Sequence, residues 1–535
     1  MEETVSQKPA QATVQSIEIP SGKLLRESRR IHFIRAAIVG CAAGIVAVAF
    51  RLSLQGIEAF RDRLFENHQT LVGVLLLLIL CPALVVAARW LVVTFDPQAA
   101  GSGIPQVKGA LLHLREISGV RVIPIKFLGG ILALGAGLSL GREGPTVQMG
   151  AGAGDIVSRL LRVPKKSQRH LIACGAGAGL AAAFNAPLAG FLFVIEELQR
   201  ELSPITYGTA FIAAITADAV TRVATGQAPD FSLQGYPALP LSALPVVLAI
   251  GAAGGIVGVL FNHGTLWGLK LLDARPPKFR WIAAAAAGVC AVVLWFFVPS
   301  SVGSGHATAQ EAVLGTVSGS SSLLIVLVAL LCKFAFTLLS YFSGVPGGIF
   351  SPLLTIGALM GLAVGIPVHA YAPEAVPFVG AAGIIGMAAL FTGIVRAPIT
   401  GIVLILEMTA NHEQIFALAV ASLVAYMVAE HFKCPPIYEA LLDYDLKKGG
   451  AHRETNSEPL ALNITVEPGS AAEGKKIREL SLPAGCLVVA IDRRGEAIVP
   501  SGETVIEAAD QLNIFSAAEN SGKIYHEVLK QFRGE

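Results

Sequence analysis

The sequence predicts an all-α polytopic membrane protein, with helices broken inside the membrane and a small C-terminal α+β domain. Three observations carry this. Charge is scarce: of 535 residues, 15% are charged and 53% hydrophobic, whereas a soluble domain carries roughly 25% charge. Apolar runs recur through residues 31–445, many long enough to cross a hydrocarbon core of roughly 30 Å as a helix. Beyond residue 460 the chain turns to short β-branched runs bounded by Pro-Gly, Arg-Gly and Ser-Gly turns.

Residues 1–30 are polar and end in "KLLRESRR". They read as a cytoplasmic tail under the positive-inside rule, with no cleavable signal peptide. Apolar runs follow at about 33–54, 72–93, 123–140, 171–195, 206–224, 243–262, 281–298, 322–342, 352–371, 379–406 and 415–430. Residues 446–459 are polar and glycine-bearing, as a linker is, and 460–535 form the soluble domain. A net charge of +2 gives no reason to expect a nucleic-acid partner. The seven cysteines are scattered, with no CxxC, so neither a metal site nor a disulfide framework is expected. No cofactor is implied.

The body contains a repeat, about 31–235 and 236–445. "NAPLAGFLFVIEE" from Asn185 aligns without a gap on "RAPITGIVLILEM" from Arg396. "PTVQMGAGAG" from Pro145 aligns on "PLLTIGALMG" from Pro352, and "GSG" at 101–103 recurs at 303–305. Duplicated halves with hydrophobic segments interrupted by Gly and Pro point to a transporter-like fold. In such folds the substrate site lies at the repeat interface near the midplane.

"GSGIP" (101–105), "GREGP" (141–145) and "GGIFSP" (347–352) share one design: glycines, a proline, then an apolar run. Each predicts a helix N-terminus within the membrane depth. Such an end offers unsatisfied N–H groups and a partial positive charge, which an anion satisfies. Glu143, in the middle motif, carries the same charge as an anion and competes for the same donors; protonated, it gains nothing there. Pairing between Glu143 and Arg142 is not expected, because adjacent side chains at a helix start do not face each other. Arg142 is therefore expected to act through its backbone more than its charge. "FLFVIEELQRE" places Glu196 and Glu197 at the end of an apolar run. Glu196 suits a solvated membrane edge and aligns with Glu407, whereas Glu197 aligns with Met408 and is peculiar to the first half. A buried Glu197 could relay protons toward Glu143. Lys126 and Lys333 are embedded cations that either bias the field toward anions or serve helix packing or snorkel to the membrane edge.

These motifs, in this order, with Tyr438 in "PIYEAL" (436–441), resemble the CLC family of chloride channels and proton-coupled chloride transporters over about residues 31–442. The resemblance implies an inverted-repeat helical fold and a homodimer with one pathway per subunit. It implies that Ser102 and Tyr438 coordinate chloride through their hydroxyls, together with the amides of Ile349 and Phe350. The backbone around Gly141, Arg142 and Gly144 would line the outer anion path, Glu143 would be the gate, and Glu197 the internal proton-transfer group. The function implied is secondary active exchange of chloride for protons, the alternative being a passive voltage- or pH-gated chloride channel of the same fold. The acidic residue at 197 favours exchange. Residues 460–535 resemble a TrkA-C module, regulatory in kind and binding small ligands or ions in some relatives. The expected setting is the cell (inner) membrane, multi-pass, with both termini cytoplasmic. An intramembrane hydrolase using Ser102 or Ser304 with His306 is disfavoured, because nucleophile and base so close in sequence rarely have triad geometry and the adjoining sequence offers no Asp or Glu to orient the histidine. A potassium pathway would need a carbonyl-lined filter such as TVGYG, and the sequence has none.

Overall fold

The computed structural model describes residues 22–67, 70–112, 114–199, 204–231, 236–315, 323–448, 460–483, 485–493, 496–516 and 532. Among them, seven helices are long and apolar enough to cross a membrane. Two helical sets follow one another in the same order. The first is α1 (Gly22–Asn67), α2 (Leu71–Phe95), α3 (Ile104–Leu111), α4 (Gly119–Gly135), α5 (Glu143–Leu160), α6 (Lys165–Phe184), α7 (Pro187–Phe193) and α8 (Pro204–Thr225). The second is α9 (Leu244–Asp273), α10 (Lys278–Phe297), α11 (His306–Leu314), α12 (Leu323–Phe342), α13 (Phe350–Tyr371), α14 (Val379–Val395), α15 (Pro398–Thr409) and α16 (Ile415–His431). One more helix, α17 (Ile437–Lys448), follows them. The first helix starts at Gly22, within the stretch expected to be tail.

Packing repeats with the order. In the first half α1 lies on α8 and α6, α5 on α4 and α6, and α2 on α4. In the second, α9 lies on α16 and α14, α13 on α12 and α14, and α10 on α12. Small residues allow the tightest of these contacts. A Cβ built on Gly150 of α5 would stand 2.2 Å from the Gly175 carbonyl oxygen of α6, and one on Gly357 of α13 would stand 2.6 Å from that of Gly386 on α14. Among apolar lipid tails, helices associate through such close packing. The halves meet where α2 packs on α10 and α7 on α15.

Two runs expected to be continuous are broken. The 171–195 run breaks at Asn185 and the 379–406 run at Arg396, each in left-handed conformation (φ 53° and 67°) between two helices. These are equivalent positions of the repeat. Asparagine tolerates that conformation. Arg396 is held in it by three contacts: its guanidinium donates to the Gly393 carbonyl, to that of Cys434 at 2.9 Å and to Glu430 at 3.2 Å.

Residues 460–516 form a four-stranded antiparallel sheet in the order β1 (Leu460–Thr465), β4 (Gln511–Ser516), β2 (Cys486–Arg493), β3 (Glu496–Ile498). It has its own core of Ile464, Val466, Val488, Ile491, Leu512 and Ile514, separate from that of the helical region.

Candidate anion and proton site

Each Gly-Pro stretch does start a helix: α3 after Gly103, α5 at Glu143 and α13 at Phe350. Short backbone bridges hold the three starts together. The Gly101 amide donates to the Val345 carbonyl (3.1 Å) and the Gly347 amide to that of Gly101 (3.0 Å). Gly141 and Gly348 exchange both their bonds, at 2.6 and 2.8 Å. The Gly141 N–H is thus already used, and this residue belongs to the frame. The junction has no room for a side chain at Gly144, whose Cβ would lie 2.5 Å from Ser102 Oγ and 3.1 Å from Gly348 Cα.

Ser102 comes to this junction from α3's leading loop, and Tyr438 stands in the first turn of α17, which packs on α3. Both are buried, at 1% and 0% exposure, and among the described residues neither hydroxyl has a hydrogen-bond partner. Buried polar atoms are nearly always paired. Ile349 and Phe350, fully buried, are the N-cap and first residue of α13, where helix amides lack carbonyl partners.

Glu143 is buried at 1% exposure. Its carboxylate reaches across to α13: Ser351 donates to it from its amide (3.3 Å) and from its hydroxyl (2.9 Å). A carboxylate carried on α5 thus occupies the N-terminal end of α13, the position that suits an anion.

Two expectations about neighbouring charges change. Arg142 does approach Glu143, with Nε 3.8 Å from Oε1. Arg142 is the N-cap, outside the regular turn, so the helix-face argument against this contact does not hold. Its guanidinium also donates to the Ala183 carbonyl (3.3 Å) and to Asp230 (3.5 Å), so its charge has definite partners. Asp230 in turn holds Arg51 at 3.2 Å and has His306 Nδ1 at 3.7 Å, while the His306 ring stacks on Phe231.

Glu196 is no solvated edge residue. It caps α15, accepting from the amides of Ile399 (3.1 Å) and Thr400 (2.7 Å). Glu407, its repeat partner, caps α7 through Leu188 (3.0 Å) and Ala189 (2.8 Å). Each half thereby closes a helix start in the other. Lys126 and Lys333 act as a matched pair: Lys126 Nζ donates to the carbonyls of Ala99 and Gly101, Lys333 Nζ to those of Ser301 and Gly303. They fasten the turns that lead into α3 and α11.

Glu197 lies in a π-helical turn, Val194–Gln199, that continues α7. Such turns occur often at functional sites. Its side chain is 0% exposed and meets Lys108 Nζ at 2.9 Å. Ser351, Lys108 and Asp230 were not singled out by sequence. Ser351 stands inside "GGIFSP" and Lys108 is the one cation of "GIPQVKGALL", so both had a visible signal; Asp230, in a loop, had none.

Residues 83–430 match the family described as voltage gated chloride channel, and residues 462–527 match the TrkA-C domain. The chain belongs to the voltage gated chloride channel (CLC) family. Among CLC relatives, the H(+)/Cl(-) exchange transporter ClcA of Vibrio cholerae is 39% identical over 77% of this chain and 88% of that protein. The ClcA of Citrobacter koseri is 38% identical over 79% of this chain and 90% of that one. The crystal structure of a slow cyanobacterial Cl-/H+ antiporter superposes with a TM-score of 0.74 at 33% identity, covering 78% of this chain and 99% of the other. The paired halves described above are the CLC inverted repeat, and this CLC chain is a multi-pass membrane protein.

Proposed function

We propose that this protein exchanges chloride for protons across the bacterial inner membrane, as a homodimer with both termini cytoplasmic. The observation that carries the reading is the seat of Glu143: a buried carboxylate on the N-terminal end of α13, where an anion would sit. Chloride and carboxylate compete for that place. A proton on Glu143 removes the charge that holds it to Ser351, the side chain leaves, and chloride enters. Ser102 Oγ, Tyr438 OH and the amides of Ile349 and Phe350 supply the inner anion position, with the backbone about Arg142 and Gly144 facing the outer one. None of these is a full positive charge, which keeps binding weak enough for passage. Glu197 hands protons between the opposite side and Glu143. The relatives named as exchangers support this reading over a channel, and the basic "KLLRESRR" segment supports a cytoplasmic N-terminus. The TrkA-C domain is assigned a regulatory role toward a small ligand or ion.

The test is reconstitution in liposomes with a chloride gradient, recording external chloride and pH together. Exchange predicts protons driven uphill by chloride. Chloride flux without proton movement would leave a channel.

A further inference from the structure

The exchange reading uses Glu197 but gives no role to the cation beside it. Lys108 projects from the last turn of α3, is buried at 4% exposure, and places Nζ 2.9 Å from Glu197 Oε1 and 3.2 Å from Glu439 Oε1. Glu439 directly follows Tyr438 on α17. Adjacent residues on a helix point about 100° apart, so a single turn of α17 sends the phenol to the anion position and the carboxylate to Lys108. A second contact closes the same seam between α3 and α17, where Gln106 Nε2 donates to Asp445 Oδ2 at 3.4 Å, and Arg115, in the loop after α3, lies 3.8 Å from the same carboxylate. The elements that carry Ser102 and Tyr438 are thus bound to each other, and to the π-turn bearing Glu197, through one ammonium group.

We propose that Lys108 is the positioning residue of the internal proton site, fixing the Glu197 carboxylate for proton exchange and tying that site to the chloride-binding elements α3 and α17. The physical argument is one of charge balance. A buried carboxylate that loses its cation is left uncompensated, at a cost far above that of an exposed one. Such a carboxylate keeps its proton and stops cycling, and without the ammonium its rotamer is no longer fixed toward the pathway. An ammonium at 2.9 Å allows both states: Glu197 is ionised against Lys108, and on taking a proton from the inner solution it leaves Lys108 paired with Glu439. Lysine suits this role because its point charge can serve either carboxylate, and arginine retains the charge. Lys126 and Lys333, also buried, donate to backbone carbonyls and serve turns instead.

The inference rests on the exchange reading, and the experiment separates the two. Wild type, Lys108→Met, Lys108→Gln and Lys108→Arg are reconstituted in liposomes, and the ratio of proton to chloride flux is measured for each. The ratio does not depend on how much protein folds, so a poorly inserting variant remains informative. Lys108→Met and Lys108→Gln are expected to lower the ratio at least threefold, and Lys108→Arg to stay within twofold of wild type. An unchanged ratio in the Met and Gln variants, beside normal coupling in wild type, overturns the role of Lys108 alone. Absence of proton movement in wild type overturns the exchange reading and this inference with it.

Discussion

At the scale of single residues, the account turns on who occupies the first turn of α13. Ser351 supplies the hydroxyl that holds the Glu143 carboxylate at 2.9 Å. A hydrogen bond to a charged group contributes about 1.5–3 kcal/mol, so Ser351→Ala should weaken the carboxylate's hold. The expected outcome is an apparent chloride affinity raised roughly tenfold, read from the chloride dependence of flux at fixed pH. An unchanged affinity would mean that the hydroxyl plays no part in the competition. Serine 351 also marks the limit of reading residues one by one. "GGIFSP" announces a helix start, because glycine and proline act locally on the backbone. That a glutamate 208 positions earlier lies on that start is a tertiary fact, without any local periodicity to reveal it.

At the scale of elements, the starts of α3, α5 and α13 were legible from glycine and proline spacing alone, and the breaks between α6 and α7 and between α14 and α15 were not. The runs 171–195 and 379–406 are interrupted by a polar residue at each corner, Asn185 and Arg396, and these left-handed corners carry no glycine; the signal each offered was the proline two residues on, Pro187 or Pro398, which opens the next helix. The caps of α7 and α15 were hidden for a related reason: each comes from the other half of the chain. These short helices have their first amides satisfied by Glu407 and Glu196 in place of local Ser or Asp caps. Losing a cap costs about 0.5–2 kcal/mol. Glu196→Ala and Glu407→Ala should therefore each lower the unfolding temperature of the detergent-solubilised protein, by similar amounts. If one were neutral and the other severe, the reciprocal arrangement would not be the source of the effect.

At the scale of the whole molecule, the duplication extends from helix order to individual buried charges. Lys126 and Lys333 sit at matching places on α4 and α12 and bind matching carbonyls. Sequence left them open between shaping the field and packing; the carbonyl contacts give them a definite task in each half. Replacing either by methionine leaves two buried carbonyls without their donor, at about 1–3 kcal/mol for each unsatisfied group. Lys126→Met and Lys333→Met are both expected to reduce the yield of folded protein and its thermal stability to comparable extents. A Lys126→Met protein as stable as wild type would contradict the fastening role. The overall architecture was the most legible level of all, because scarcity of charge, length of apolar runs and ordered repetition act over hundreds of residues and survive local exceptions.

The central claim is that one carboxylate, on Glu143, competes with chloride and carries the proton. The most direct test compares wild type with Glu143→Ala in chloride-loaded liposomes, recording proton and chloride movement from the same vesicles. The account predicts uphill proton movement in wild type and none in Glu143→Ala, with chloride still passing through the variant. Protons driven uphill by chloride in Glu143→Ala would contradict it.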